Sequence, residues 1–190
     1  MKNYITIDGG TTNTRISLVK NGEIIDTLKY NVGARAGIDD NSLLKNTVRD
    51  AITELLNKHH LKTTDICRIL ASGMITSEFG LLKLDHAVTP VGVSELHEGM
   101  QEIVLEDISD IPFVFMRGVK TACKNLEDAD MMRGEETELM GIMSPDDGEC
   151  VYILPGSHSK IIKTDSSGRI ESFATMLTGE MTAALAQNTI

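Results

Sequence analysis

The sequence predicts an α/β protein in which strand and helix patterns alternate. Three observations point to this class: an opening of three strand patterns separated by turns, a helical period over Ser42–His60, and short apolar runs that alternate with further helical patterns. The chain has 190 residues, 41% of them hydrophobic, which is an ordinary globular composition. We therefore expect one large or two small domains, at roughly 100–200 residues per domain.

The opening thirty residues predict an antiparallel meander. Tyr4–Ile7 is rich in β-branched and aromatic residues and stops at small, turn-forming residues, Asp8–Asn13, which we call the first loop. Thr14–Lys20 alternates again. Asn21-Gly22 favours a two-residue hairpin, and Glu23–Tyr30 completes the third strand.

Helices and buried strands are predicted through the middle of the chain. Ser42–His60 repeats apolar residues at steps of three and four. Ile66–Ala71 and Pro112–Met116 are short apolar runs typical of buried strands. Two more helices are expected, over Ser94–Asp107 and Asp128–Met143.

The last part of the chain repeats the opening pattern. Three strands and a capped helix are expected there: Glu149–Leu154, Lys160–Thr164, Ile170–Met176, and Gly179–Asn188 behind Thr178. Turn glycines and strand-leading bases recur at near-constant offsets: Gly156 − Gly9 is 147, Lys160 − Arg15 is 145 and Gly168 − Gly22 is 146. The pattern predicts a duplication, and coincidence between two hairpin ribbons is the alternative.

Charge and cysteine usage exclude several classes of protein. A formal net charge of −10 argues against a nucleic-acid partner, which needs a basic face. Apolar stretches such as Ile111–Met116 are far shorter than the roughly 20 residues that span a bilayer, and no leader pattern opens the chain. Cys67, Cys123 and Cys150 form no C-x-x-C pair, so we expect reduced thiols and a cytoplasmic location without a membrane.

The first loop has the chemistry of an anion site. Its glycines let backbone N–H groups approach an anion, and its Thr and Asn side chains add donors. Asp8 would hold a hydrated Mg²⁺, and Arg15 would pair with a phosphate or a substrate carboxylate. The alternative is a tight hairpin in which Asp8 and Asn13 satisfy turn amides.

Two later segments are further candidates. Pro155–Ser159, the second loop, repeats the small-residue turn with Pro155 where the first loop has Asp8, so only the first loop offers a metal carboxylate. Met132–Glu138, the acidic turn, has a carboxylate able to take the proton of a substrate hydroxyl. A solvated acidic helix face is the alternative for the acidic turn.

These segments resemble a known family. Asp8–Arg15 resembles the first phosphate loop of the sugar kinase, heat-shock ATPase and actin superfamily. The remaining motifs resemble the 2-dehydro-3-deoxygalactonokinase family in order and approximate spacing: Ala71–Met74, Met132–Thr137, and Leu154–Lys160 followed by Leu177–Glu180.

The resemblance implies a fold of duplicated ribonuclease H-like (actin-like ATPase) domains, the second of them truncated. The expected organisation is a first domain over 1–126, a helix and linker over 127–148, and the start of a second domain over 149–190. The family's chain continues further, so we expect either a partial chain or a second copy, in a homodimer, that completes the fold.

The resemblance also implies a function: a kinase that uses ATP and Mg²⁺ to phosphorylate the terminal hydroxyl of a small sugar acid, 2-dehydro-3-deoxy-D-galactonate, to the 6-phosphate in galactonate catabolism. Phosphate-binding residues would be Gly10, Thr11, Thr12, Asn13, Gly156, Ser157, His158 and Ser159, with Asp8 for Mg²⁺. Substrate residues would be Arg15, Ser72, Gly73, Met74 and Arg133.

The implied general base is Glu136, or Glu135 beside it, and spacing does not separate the two. A non-catalytic sugar-acid binding protein of the same fold and a phosphatase or nucleotidase of the superfamily are the alternative functions.

Overall fold

The computed structural model describes residues 2–144 and 146–188, and the chain divides into two compact units. The first unit combines Met1–Asp85 with Gly99–Arg117, and the second combines His86–Glu98 with Gly118–Ile190. Each unit is thus built from two separate stretches of chain.

The first unit contains one six-stranded mixed sheet. Its elements are β1 (Asn3–Gly9), β2 (Thr14–Lys20), β3 (Glu23–Tyr30), α1 (Ser42–Lys58), β4 (Ile66–Gly73), β6 (Gln101–Leu105) and β7 (Ser109–Phe115). The strand order is β3-β2-β1-β4-β7-β6, in which β1 to β3 form the predicted meander and β4 runs parallel to β1 and β7. The opening and the α1 prediction are confirmed.

The core of this unit forms because strand alternation and helical period both direct apolar residues to one layer. Fully buried side chains on the sheet include Ile5, Ile7 and Ile16. Buried residues of α1 recur at helical spacing on the face in this core: Leu44, Val48, Ala51, Ile52 and Leu55.

The second unit has two small sheets and three helices among its described residues. Its elements are β5 (Ala87–Val88), α2 (Val93–Glu98), β8 (Val119–Lys120), β9 (Met131–Met132), α3 (Glu135–Ile142), β10 (Cys150–Leu154), β11 (Ser159–Thr164), β12 (Ile170–Met176) and α4 (Thr178–Asn188). The sheets are ordered β5-β8-β9 and β10-β11-β12. The strands and helix predicted after residue 149 are confirmed.

Residues 86–98 are held to the rest of the second unit by hydrogen bonds and an ion pair. Val91 and Ile170 form an antiparallel bridge. Arg169 donates to the Pro90 carbonyl at 2.8 Å and forms an ion pair with Glu95 at 3.0 Å. The core includes Val119, Met132, Leu139, Ile162 and Ile170, each at most 2% exposed.

Two helix predictions are wrong. The segment predicted as a helix over Ser94–Asp107 contains only the short α2, and Gln101–Leu105 is instead an edge strand paired with β7. Pairing with β7 prevails there over the helical spacing of the apolar residues. Of Asp128–Met143, only α3 is α-helical, because Met131–Met132 pairs with β8 and Gly134 has a φ of 113°.

The division into units differs from the domain boundaries expected from the sequence. Residues 86–98 and 118–126, expected in the first domain, belong to the same unit as the chain from residue 127 onward. The reason is that β8 pairs with β5 on one side and with β9 on the other. No helix among the described residues is long and apolar enough to span a bilayer.

Candidate functional site

The first loop connects β1 to β2 in a tight turn. The Gly10 amide donates to the Asn13 carbonyl at 2.7 Å, and the Asn13 side-chain amide donates to the Thr12 hydroxyl at 3.0 Å. The side chains of Thr11, Thr12 and Asn13 are exposed. Within the described chain, the amides of residues 11–13 donate to no other residue, so they are available to an anion.

A second segment of backbone supports the first loop. The amides of Ala34 and Arg35 donate to the carbonyls of Gly10 and Thr11 at 3.0 and 2.9 Å. A Cβ on Gly33 would lie closer than 3.0 Å to the Gly10 carbonyl oxygen. The sequence requires glycine at this position because the two backbones approach too closely for a side chain.

A row of polar side chains crosses the sheet at the carboxyl end of β1. Register places Asp8 opposite Arg15 on β2 and beside Ser72 on β4, and Arg15 opposite Lys29 on β3. Arg15 donates to the Asp8 carboxylate at 3.2 Å, and both side chains are more than half exposed. We call Ser72, Asp8, Arg15 and Lys29 the polar row.

A shallow cavity of about 230 Å³ lies over this end of the sheet. Its lining residues are Asp8, Gly10, Asn13, Thr14, Arg15, Lys29, Tyr30 and Asn31. Lys29 was not among the residues singled out in the sequence. The signal that identifies it is its place in the third strand opposite Arg15, which only the register of β2 and β3 reveals.

Gly73 and Met74 lie next to the end of β1, where the first loop begins. Gly73 lies beside Gly9 with a φ of 83°, and a Cβ on it would lie closer than 3.0 Å to the Gly9 carbonyl oxygen. Met74 is half-buried and begins a short 3₁₀ turn, whose Ile75 packs against Gly9. Of the residues expected on the substrate side, only Arg15 is in the cavity lining. Ser72 and Gly73 lie beside Asp8 and Gly9 of β1, and neither they nor Met74 line the cavity.

The second loop is likewise held by the segment that follows its third strand. The Glu180 amide donates to the Ser157 carbonyl at 3.2 Å, and its carboxylate bonds the His158 ring nitrogen at 2.9 Å. Ser159 shares a hydrogen bond with Thr178 and accepts from the Gly156 amide at 3.3 Å. Gly156, Ser157 and His158 are exposed at the N-terminus of α4.

The acidic turn begins α3 and buries one of its carboxylates. Gly134 adopts a φ of 113°, which only glycine reaches without strain. Its N–H donates to the carboxylate of Glu136, two residues later. Glu136 is 1% exposed, and both its oxygens accept from this amide, at 2.8 and 2.9 Å. Burial raises the pKa of Glu136 to about 7, and the negative charge of Glu135 acts in the same direction.

The neighbours of Glu136 are held differently. Glu135 accepts from the Arg133 amide at 2.9 Å and forms an ion pair with Lys160 at 3.3 Å. Arg133 contacts the ring of His86, a residue with no expected role, at 3.1 and 3.3 Å. The two candidate bases therefore differ in burial and in charge partner, which spacing alone did not distinguish.

No three His, Cys, Asp or Glu side chains among the described residues form a metal cluster. Asp8 alone contributes a carboxylate to the cavity lining. A site of one carboxylate suits Mg²⁺, which keeps several waters and is completed by substrate phosphates. Thus the donor set over the first loop fits a hydrated Mg²⁺ bound with a polyphosphate.

Comparison with known proteins gives one consistent result. The model of the family described as 2-keto-3-deoxy-galactonokinase matches residues 8–190. A 2-dehydro-3-deoxygalactonokinase of Escherichia coli (strain K12) is 27% identical over 183 residues, which are 94% of this chain and 54% of that protein. A protein of Rhizobium meliloti (strain 1021) described as a probable 2-dehydro-3-deoxygalactonokinase is 30% identical over 125 residues, 64% of this chain and 38% of its own.

A solved structure shares the fold. The crystal structure of a Sinorhizobium meliloti protein described as a 2-dehydro-3-deoxygalactonokinase superposes with a TM-score of 0.74 at 23% identity, over 98% of this chain and 57% of that one. The chain thus spans about half the length of the E. coli relative and less of the other curated one. The family model nevertheless covers nearly all of its residues, so the chain belongs to the 2-keto-3-deoxy-galactonokinase family.

Proposed function

We propose that this chain carries phosphate- and sugar-acid-binding residues of an ATP-dependent kinase that phosphorylates the terminal hydroxyl of 2-dehydro-3-deoxy-D-galactonate to the 6-phosphate in galactonate catabolism. Membership of the family supports the reaction class. The single structural observation that carries the proposal is the polar row beside the unpartnered amides of the first loop, because it combines one carboxylate, two cations and free donors.

The described residues fit ATP and Mg²⁺. The amides of residues 11–13, Arg15 and Lys29 would hold phosphate oxygens, and Asp8 would hold the hydrated cation. When bound, ATP supplies the phosphoryl group. ATP and the three free cysteines are both consistent with a reducing cytoplasmic compartment.

The acidic turn supplies the group that moves a proton. The substrate hydroxyl oxygen forms a bond to the γ-phosphorus while the bond from that phosphorus to the β–γ bridging oxygen breaks. The hydroxyl proton passes to the carboxylate of Glu136, for which a pKa near 7 suits a base at neutral pH. Glu135, which already has a cation partner, is the less suited of the pair.

A further part of the proposal is that each unit contains a copy of one ribonuclease H-like motif, at β1 to β3 in the first unit and at β10 to β12 in the second. Gly10, Gly22 and Gly33 recur 146 positions later as Gly156, Gly168 and Gly179 (156 − 10, 168 − 22 and 179 − 33). The counterpart of Gly156 is therefore Gly10, and not Gly9 as in the offsets read from the sequence. The middle pair have φ of 88° and 73°. In each unit, a Cβ on the last glycine would lie closer than 3.0 Å to the carbonyl oxygen of the first.

Strand irregularities support the same duplication. The pairing of β2 with β3 shifts by one residue between Leu18 and Val19. The pairing of β11 with β12 shifts between Lys163 and Thr164, at the positions 145 residues later (163 − 18). A bulge at equivalent positions is a feature that two unrelated ribbons need not share.

The decisive experiment measures ADP release by the chain with Mg-ATP, with and without 2-dehydro-3-deoxygalactonate, alongside calorimetric binding of the sugar acid. Release that requires the sugar acid supports the proposal, and Asp8→Asn is expected to abolish it without loss of fold. Release without the sugar acid would indicate a nucleotidase, and sugar-acid binding without release a binding protein. The absence of both sugar-acid binding and ADP release would contradict the proposal.

A further inference from the structure

Lys160 is a buried lysine at the start of β11, and no role follows for it from the proposed reaction. Its side chain is 5% exposed, and its ammonium lies 3.3 Å from the Glu135 carboxylate. A buried ammonium without a counter-ion is strongly disfavoured, so the pair with Glu135 is what permits its burial. The pair therefore fixes the start of β11 to the start of α3.

Glu135 is held at both of its oxygens. Oε1 accepts from Lys160, and Oε2 accepts from the Arg133 amide at 2.9 Å. Both oxygens of Glu135 are therefore engaged, one by a cation and one by a backbone amide. Its side chain is 27% exposed, so it bridges the interior and the surface of this unit.

Glu136 has a different set of neighbours. Its oxygens accept from the Gly134 amide, and one also accepts from Thr137 at 3.3 Å. In the described part of the chain, no cation forms an ion pair with it. The charged groups around the acidic turn are Arg133, Glu135 and the exposed Glu138 on the turn itself, His86 against Arg133, and Lys160 from β11.

We propose that Lys160 is a positioning residue for proton transfer, which neutralises and immobilises Glu135 and so makes Glu136 the carboxylate that exchanges a proton. The inference rests on the proposed function for its catalytic meaning. The electrostatic part stands alone: without the lysine charge, the uncompensated Glu135 carboxylate would repel the ionised form of Glu136.

The lysine also occupies a position with a counterpart in the first unit. Lys160 pairs with Leu154 across β10 and β11 as Arg15 pairs with Asp8 across β1 and β2. In the first unit the partner strand provides the carboxylate of Asp8, and in the second the register places the apolar Leu154 there, not Pro155 as expected from the sequence. The buried lysine takes its carboxylate from the acidic turn instead, which gives the ion pair its place beside Glu136.

The test is a ¹³C NMR titration of the Glu136 carboxyl in this chain, which needs neither substrate nor turnover. Lys160→Met is expected to raise the titration midpoint by about one pH unit or more, and Lys160→Arg to restore it. Lys163→Met, at a half-exposed lysine of the same strand, is the matched control and leaves the midpoint unchanged. A folded Lys160→Met chain with an unchanged Glu136 midpoint would overturn the proposal.

If Lys160→Met does not fold, the double variant Glu135→Gln/Lys160→Met decides, because it buries no unpaired charge. Glu136 is then expected to titrate no higher than in the parent chain, and a midpoint raised by a unit or more refutes the coupling through Glu135. Since the titration does not depend on activity, a failed kinase assay with the expected titration rejects only the proposed function.

Discussion

The backbone N–H of Gly134 donates to both carboxylate oxygens of Glu136, at 2.8 and 2.9 Å. This one amide lies at the N-terminus of α3, where a negative charge is favoured, yet it does not offset the loss of hydration. The pKa of Glu136 is consequently raised from 4.5 to about 7. Between about pH 4.5 and pH 7, Glu136 thus keeps a proton in the folded chain that it releases in the unfolded chain.

Stability is therefore expected to fall as Glu136 ionises. The contribution of the group is fully present below about pH 4.5 and lost as the pH rises through about 7. In Glu136→Gln this loss is absent, so the variant should gain about 2 kcal/mol relative to the parent between pH 5 and pH 8. Urea denaturation at both pH values measures it, with the exposed Glu138→Gln as control. Parallel curves for parent and Glu136→Gln would contradict the burial of an ionisable Glu136.

Asp26 is expected to act in the opposite direction. The Lys58 ammonium, and then the His59 ring, lower the pKa of Asp26 to about 2. Its stabilising contribution is present above about pH 3.8 and is lost as the pH falls through about 2. Asp26→Asn should thus lower the unfolding free energy more at pH 7 than at pH 3. Asp50→Asn, at a largely exposed position, is the control, and an Asp26 effect independent of pH would exclude the ion pair as its cause.

Close backbone contact is expected to make Gly33 and Gly179 intolerant of alanine. A Cβ at either position meets a loop carbonyl oxygen closer than 3.0 Å. Each substitution should lower the unfolding free energy by about 1–3 kcal/mol, since backbone must shift. Gly141→Ala, in α3 with nothing within 4 Å of its Cβ, is the control and should be neutral or slightly stabilising. Equal effects at all three positions would mean that the loops are not held as described.

Lys29 is expected to contribute to anion binding beside Arg15. Lys29→Gln removes one cation from the cavity, and should weaken ATP binding about tenfold, as for loss of one charge-assisted hydrogen bond. Calorimetric titration with Mg-ATP measures the affinity. Lys20→Gln, an exposed lysine at the far end of β2, should leave it unchanged. If the two variants bind ATP equally well, Lys29 has no part in the site.

Sequence patterns were sufficient where an element is specified locally. Thr14–Lys20 and Glu23–Tyr30 were predicted to the residue, because alternation and the Asn21-Gly22 turn fix both ends of the hairpin. Ser42 likewise begins α1 as predicted. Gln101–Leu105 was mistaken for helix because the strand depends on pairing with β7, which spacing does not encode.

The candidate site was also predictable only in part. The first loop was predictable because glycines and small polar residues act through local backbone geometry. The difference between Glu135 and Glu136 was not, since it arises from Lys160, about 25 positions away, and from the burial of the helix start. Lys29 became visible only through strand register.

The division of the chain has a practical consequence for engineering. The polypeptide passes from one unit to the other after residues 85, 98 and 117, so no single cut separates the two units. A fragment beginning at Gly118 would lack Ala87, the β5 partner of Val119, and Glu95, the carboxylate partner of Arg169. Exchange of this unit between homologues must therefore transfer residues 86–98 with it, as a two-segment graft.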